Sequence, residues 1–419
     1  MVAWLNVLLS RRRHVHWVLA DQILVSGCNF LIAILYARFL GPAGFGIYAL
    51  ITVAQQYFVN MSASLIGNPL ITAAPHQRDA SEQRQLVERS FAAQILVSAG
   101  LGLLAAAGMT ICRSTGAADF SALAVLAATA SSFGLPLLEW FRKLCFLDRD
   151  GPTLFRFDAS VYLPIVAMTL ALEHYAELTL DLALLLWGAS SVAACLYAVH
   201  RLKLPFRPAG ARAFVLQHWR ASRDFVASFQ VQWLGSQGIV YLAAPMVGAT
   251  GIGAYRSVAG LLGFTNALGA TLDNVLPLRF AEVYRKGGDR ELRKQAIRSG
   301  LALTALLLLL LVPVAIFARE IVGFLLGDAY AGYSDILWVQ GLYISILFAS
   351  RWEIYHERAR LITYRIAISA IVGSVVSLLL VVAATTALGP IGVAWSTVAG
   401  AAASLFYLSW SLSREARKD

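Results

Sequence analysis

Leu40-Gly41-Pro42-Ala43-Gly44-Phe45-Gly46-Ile47-Tyr48 is a glycine- and proline-rich turn set between two long apolar runs, roughly 17–40 and 45–70. Each run is long enough to cross ~30 Å of hydrocarbon as a helix. Gly41 and Pro42 favour a reversal there, because glycine accepts backbone angles closed to other residues and proline cannot continue a helix. The stretch reads as the tip of a membrane hairpin. It returns as Val247-Gly248-Ala249-Thr250-Gly251-Ile252-Gly253-Ala254-Tyr255, with three glycines and the tyrosine repeating at a constant spacing of 207 residues. Upstream, Gly27-Cys28-Asn29 pairs with Gly235-Ser236-Gln237; downstream, Pro69-Leu70 pairs with Pro277-Leu278, both at 208. The spacing is about half of the 419-residue chain. It relates spans 1 and 2 to spans 7 and 8, so the two halves share one orientation. The expected fold class is an all-α membrane protein of about 12 transmembrane helices in two parallel-repeat six-helix lobes around a central cavity. The lobes are expected at 1–205 and 206–419.

Composition agrees with this class. The chain is 58% hydrophobic and only 14% charged, more apolar surface than a soluble protein of this length hides. Apolar runs predict spans at 17–40, 45–70, 90–112, 119–140, 158–173, 179–200, 223–247, 252–278, 295–318, 334–351, 363–387 and 390–412. The fifth is short and interrupted by Pro164. About 30 of the 34 Lys and Arg residues fall in every second gap between these runs. Basic residues resist translocation, so those gaps, and both termini, are expected to be cytoplasmic. The exceptions are Arg38, Arg113, Arg256 and Arg319. A net charge of +10 would suggest nucleic acid in a soluble protein. Here it sets orientation and contacts anionic headgroups, and no nucleic-acid partner is expected. The outer connections are short; the longest, about 319–333, has room for little more than a surface helix. The inner stretches 76–89 and 279–298 are mixed in charge and helix-compatible.

Chemistry-bearing patterns are few. Cys28, Cys112, Cys145 and Cys195 have no metal-ligand or redox spacing. The seven histidines form no metal pair on a buried helix. No phosphate loop for ATP is present, no nucleophile elbow, and no cofactor is expected. Met1–Leu9 is too short for a signal peptide core and Arg11–Arg13 follow on the wrong side.

The segment from Ala37 and Arg38 through Ala49 and Leu50 closely resembles the first-hairpin signature of oligosaccharide flippases. These are polysaccharide-transport members of the multidrug, oligosaccharidyl-lipid and polysaccharide (MOP) exporter superfamily. Leu325-Leu326-Gly327-Asp328-Ala329-Tyr330 and Gly389-Pro390-Ile391-Gly392-Val393-Ala394 carry further likeness. The resemblance implies two six-helix lobes, a central cavity, and export of lipid-linked sugar units on a polyprenyl-pyrophosphate anchor for surface polysaccharide. It also implies a bacterial inner-membrane location and company with other polysaccharide-assembly membrane proteins.

Hydrocarbon penalises polar side chains, so those inside spans are the site candidates. Gln22, Ser26 and Asn29 share one face of span 1, with Asp21 beside them near the cytoplasmic end. Thr52, Gln56 and Asn60 share a face of span 2, with Gln55 adjacent. On span 7, Gln230 and Gln237 stand one heptad apart with Trp233 between. On span 8, Arg256, Gly263, Asn266, Ala270 and Asp273 fit one stripe. The expected substrate contacts are Arg256, Gln56, Gln237, Asn29, Asn60, Asn266 and Arg38. Asp21 and Asp273 are the ion-coupling candidates, an interfacial ion pair being the alternative role. Arg256 offers a guanidinium that matches phosphate geometry, or it snorkels outward; Arg38, one turn from the surface, favours snorkelling. Buried amides also join helices without touching cargo.

The expected function is a flippase that moves lipid-linked oligosaccharide to the outer leaflet by alternating access, and not an enzyme. Two alternatives stand. A multidrug/cation antiporter of the same superfamily would favour acids deep in the cavity. A membrane polysaccharide polymerase or ligase would need a sizeable outer loop.

Overall fold

The computed structural model describes the backbone of residues 2–116, 119–175, 177–360 and 362–415; the side chains of 1–15, 266, 267, 270, 271, 273–275, 278, 363 and 415 lie outside the description. Among the described residues the chain is helical throughout, with no strand. The helices are α1 (Val2–Ser62), α2 (Asn68–Ala73), α3 (Ala80–Ser114), α4 (Ala122–Leu147), α5 (Gly151–Tyr175), α6 (Leu180–Leu202), α7 (Pro208–Trp233), α8 (Ile239–Gly260), α9 (Phe264–Ile316), α10 (Ala318–Leu326), α11 (Asp335–Ala359), α12 (Thr363–Leu388) and α13 (Pro390–Glu415). Nine of the helical runs are long and apolar enough to cross a membrane.

The longest helices are not continuous rods. Gly41 breaks α1 with φ 65° and ψ 176°, and Gly248 breaks α8 with φ 66° and ψ −178°. Only glycine adopts this region without strain. Gly288 breaks α9 the same way, and Gly389 separates α12 from α13 at φ 66°. Counting the arms on either side of these breaks yields twelve membrane-length segments among the described residues.

Several boundaries move. The fifth span is not a short, interrupted one: α5 runs from Gly151 to Tyr175 with Pro164 inside it. Because α4 and α5 extend beyond the apolar core, Arg142, Lys143 and Arg156 stand on helices and not in a loop; Arg351 likewise stands on α11. In the eighth span, Leu261, Leu262 and Gly263 form a tightened i→i+3 turn between α8 and α9, so the expected stripe from Arg256 to Asp273 does not run along one uniform helix. The inner stretch 80–89 is the first part of α3, started by Asp79. Its carboxylate accepts from the Glu82 N–H at 2.8 Å while Glu82 accepts from the Arg78 N–H at 3.0 Å, a reciprocal cap. The connection 317–334, expected from the charge pattern to be outer, holds α10 and a 3-10 turn, Asp328–Tyr333.

Contacts group the chain into two compact units, residues 1–39 with 51–230 and residues 40–50 with 231–419. In the first, α4 and α6 pack through small residues. A Cβ on Gly134 would strike Ser191, and one on Gly188 would strike the Ala127 carbonyl, the close backbone approach that gives membrane helices their van der Waals contact. Phe91, Trp140, Phe141 and Phe157 fill the core beside them. In the second unit, α12 and α13 meet at Gly373, Gly400 and Ser377. Residues 40–50 join this unit through a reciprocal contact. A Cβ on Gly46 would overlap the Ala249 carbonyl oxygen, and one on Gly253 would overlap the Pro42 carbonyl oxygen. Pro42 and Ala249, like Gly46 and Gly253, stand 207 residues apart. The two glycine hairpins therefore clasp each other backbone to backbone about a local pseudo-twofold.

Candidate functional site

One polar cluster in each unit contains residues predicted from the sequence; the second unit also buries Glu353, His356 and Glu357 beside Arg360 and Arg365. In the second unit, α7 opens into a π turn, Leu234–Gly238, before continuing as α8. The π turn carries Gln237. Arg256, on the arm of α8 that follows the Gly248 break, donates from Nη1 to Gln237 Oε1 at 3.2 Å. The hydroxyls of Tyr241 and Tyr255 lie close enough to interact with the guanidinium electrostatically. Tyr241 donates to the Leu50 carbonyl at 2.7 Å, and the Trp233 ring packs against the Tyr241 ring at 6.0 Å. Eight residues past Gly248, Arg256 stands ~12 Å from the hairpin tip along its helix. A cation within an apolar helix is costly unless it is paired or hydrogen-bonded.

In the first unit, Asp21 on α1, Glu139 and Arg142 on α4, and Asp158 on α5 form a buried charge cluster. Arg142 Nε lies 2.9 Å from Asp158 Oδ2, Nη1 3.3 Å from Glu139 and Nη2 3.7 Å from Asp21. Lys143 closes the rim, 3.7 Å from Glu139 and donating to Asn68 Oδ1 at 3.1 Å. Asp21 is 2% exposed and Asp158 fully buried, and the two carboxyls face each other within hydrogen-bonding reach. Three carboxylates meet two cations here, an excess of one negative charge when all are ionised. The Arg142–Asp158 approach is short but poorly directed, and Arg142 Nε makes no well-formed hydrogen bond to Asp158. The cluster thus has unused acceptor capacity in a low-dielectric setting, where a carboxylate can take up a proton.

The predicted residues fall into three groups. Arg256 and Gln237 meet directly. Asp21 is buried against Asp158 and paired with Arg142, and Asn29 borders that cluster through the Tyr162 hydroxyl. Gln56 and Arg38 are exposed, and Asn60 donates to the Gln56 carbonyl at 2.8 Å, turning back onto its own helix. Gln55 is buried and donates to Ser131 at 2.6 Å; Gln230 donates to Tyr57 at 2.6 Å. These amides join helices. The side chains of Asn266 and Asp273 lie outside the described residues. Sequence reasoning missed Asp158, Glu139 and Arg142. Asp158 stood at a predicted span boundary, where an acid is unremarked, and Arg142 was counted with the orienting charge. The usable signal was that Leu154, Phe155 and Phe157 continue the helix upstream of Asp158, which places the acid inside a helix and not at its start.

A family model for polysaccharide biosynthesis proteins matches residues 12–277, well over half of the chain. The chain belongs to the polysaccharide biosynthesis protein family. By sequence it matches none of the curated proteins. Among solved structures, members of two transporter groups share the fold. A lipid II flippase MurJ in an inward closed conformation superposes with a TM-score of 0.74 at 13% identity, covering 95% of this chain and 87% of MurJ. An inward-facing multidrug resistance MATE family transporter of the MOP superfamily gives 0.64 at 15%, covering 96% and 94%. An outward-facing MATE transporter gives 0.57 at 14%, covering 97% and 92%. This polysaccharide biosynthesis family member is therefore a multi-pass membrane protein with the MurJ/MATE fold.

Proposed function

We propose that this chain is a flippase that carries a lipid-linked oligosaccharide from the cytoplasmic to the outer leaflet for surface polysaccharide. The observation that carries the proposal is the Arg256–Gln237 pair on membrane-spanning helices, in a chain of a polysaccharide biosynthesis family. A sugar and a phosphate must lose water to cross hydrocarbon, and the transporter must replace it. A guanidinium pairs with phosphate oxygens in two parallel hydrogen bonds; an amide offers both donor and acceptor to sugar hydroxyls. A polyprenyl-pyrophosphate anchor supplies the anion. Moving negative charge outward runs with an inside-negative potential, worth ~2.3 kcal/mol per charge per 100 mV.

In this proposal the chain sits in a bacterial inner membrane with both termini cytoplasmic, each half a six-span lobe (1–205 and 206–419), beside other polysaccharide-assembly proteins. Asp21, with Asp158, takes the coupling ion. The test is reconstitution into liposomes with a polyprenyl-pyrophosphate-linked sugar, scoring sugar that becomes reachable by an added external glycosidase. Arg256→Ala should slow exposure at least tenfold with protein still inserted; an unchanged rate removes Arg256 from the mechanism. One observation favours a second reading, a cation antiporter: the buried acids Asp21 and Asp158 of the first unit. Efflux of a cationic dye driven by an imposed ion gradient, with no sugar exposure, would decide for it.

A further inference from the structure

The π turn that brings Gln237 to Arg256 also gathers two aromatic rings. Trp233 and Tyr241 precede and follow Gln237 by four residues each. Their Cα atoms are ~12 Å apart along the helix at 1.5 Å per residue. Yet their ring centroids are 6.0 Å apart with planes 35° from parallel. The rings must therefore lean toward one another over the turn that bears Gln237. Tyr241 is held there by its hydroxyl, which donates to the Leu50 carbonyl at 2.7 Å. The turn is fixed on another side by Gly235, where a Cβ would overlap the Ser374 hydroxyl of α12. Tyr241 is 36% exposed, so part of its ring remains open to a ligand. A π turn inside a helix is rare and recurs at functional sites. This one sets a tilted aromatic pair beside an amide that bonds a cation.

That chemistry fits one class of ligand. A pyranose has an apolar C–H face and a hydroxyl rim. The electron-rich face of an aromatic ring attracts such C–H groups while its edge accommodates the rim. In a glycosyl pyrophosphate the first sugar is bonded directly to phosphate, so its receptor needs a cation within about one ring width of the stacking face. Here Gln237 stands between the two aromatic residues in the chain and bonds Arg256, and the Tyr241 hydroxyl is near enough to interact with that guanidinium electrostatically. We propose that Trp233 and Tyr241 form a stacking face for the first pyranose of the cargo, with Gln237 reading a hydroxyl and Arg256 holding the adjoining phosphate. The proposal rests on the flippase reading and adds to it where the sugar is recognised.

Two probes separate the roles: a polyprenyl pyrophosphate bearing one N-acetylhexosamine, and the same polyprenyl pyrophosphate without sugar. Binding is measured at equilibrium to full-length protein in nanodiscs. Wild type should bind the glycosylated probe at least tenfold more tightly. Trp233→Ala and Tyr241→Ala should erase that preference, with the sugarless probe changed less than twofold, so the sugarless probe also reports that the variant is folded. Trp233→Phe, which keeps a ring, should retain most of the preference. Arg256→Ala should weaken both probes. Equal weakening of both probes in Trp233→Ala, or no weakening of either, overturns the stacking face. Equal wild-type affinity for the two probes overturns it while leaving the flippase reading intact. Wild type binding neither probe overturns both.

Discussion

Asn29 and Gln237 occupy matching places in the internal repeat, but their surroundings have diverged. Gly27-Cys28-Asn29 lies in regular helix within α1, and Asn29 borders an acid cluster. Gly235-Ser236-Gln237 lies in a π turn and bonds a cation. The place of Arg256 is taken in the first half by Ala49, and the place of Asp21 in the second half by Phe229. The repeat thus preserves the hairpin while the surroundings of its two polar positions differ: acids with Arg142 near Asn29, a cation with aromatics near Gln237.

The largest effect should come from emptying the acid cluster of its cation. Arg142→Ala leaves Asp21 and Asp158 buried without their partner, and breaking such a pair costs about 3–5 kcal/mol. Thermal unfolding in detergent should show a marked drop in Tm. Adding Asp158→Asn should recover much of it, since one unpaired carboxylate is gone; a double mutant no better than the single would show that the cluster is not an electrostatic unit. Next in size is the glycine clasp. Gly46→Ala and Gly253→Ala each press a methyl into backbone, which costs about 1–3 kcal/mol when a packed interior is overfilled. The pseudo-twofold predicts similar losses for the two. A loss at one and none at the other would break the symmetry that the sequence repeat implies.

Smaller again is the separation of function between the units. Arg256→Ala should lower transport at least tenfold, equivalent to about 1.4 kcal/mol, while leaving Tm within a degree or two. Asp21→Asn should change how the rate depends on an imposed ion gradient while leaving binding of a sugarless polyprenyl pyrophosphate unaltered. If the two variants fail in the same assay with the same ion dependence, the comparison drawn here is wrong. The smallest effect is a control in the first unit. Ser121 caps α4 by accepting from the Ala124 N–H at 2.9 Å and donates to Asp181 at 2.6 Å. Ser121→Ala should cost about 1 kcal/mol by thermal shift and leave transport unchanged; a transport defect would mean that this outer cap moves in the cycle.

Much of the fold was legible because membrane physics is one-dimensional. An apolar run of sufficient length must be a spanning helix, since the bilayer leaves no other way to satisfy its backbone. Gly41, Gly248 and Gly389 reverse the chain where expected because no other residue takes φ near +65° without strain. The candidate site was legible only in part. Arg256 and Gln237 were visible as polar exceptions on apolar helices. Asp158 was not, because a charge near a span end has an innocuous explanation. Gln55, Gln56 and Asn60 look alike in sequence, yet one ties α1 to α4, one is exposed and one bonds its own helix. A stripe drawn through Arg256 and Asp273 presupposed one uniform helix, and the turn at 261–263 removes that premise.

What the sequence by itself determined is the class of protein: the number of crossings, the duplicated hairpin and the family, all written in local composition and spacing. Which polar residues meet was decided only by the tertiary structure. Pairing Arg142 with Asp158 requires α4 to lie beside α5, and pairing Gln237 with Arg256 requires a π turn and a glycine break to bring two arms of the chain together. Hydropathy records how each residue partitions between water and lipid; it carries no information about which neighbour waits on the other side of the helix.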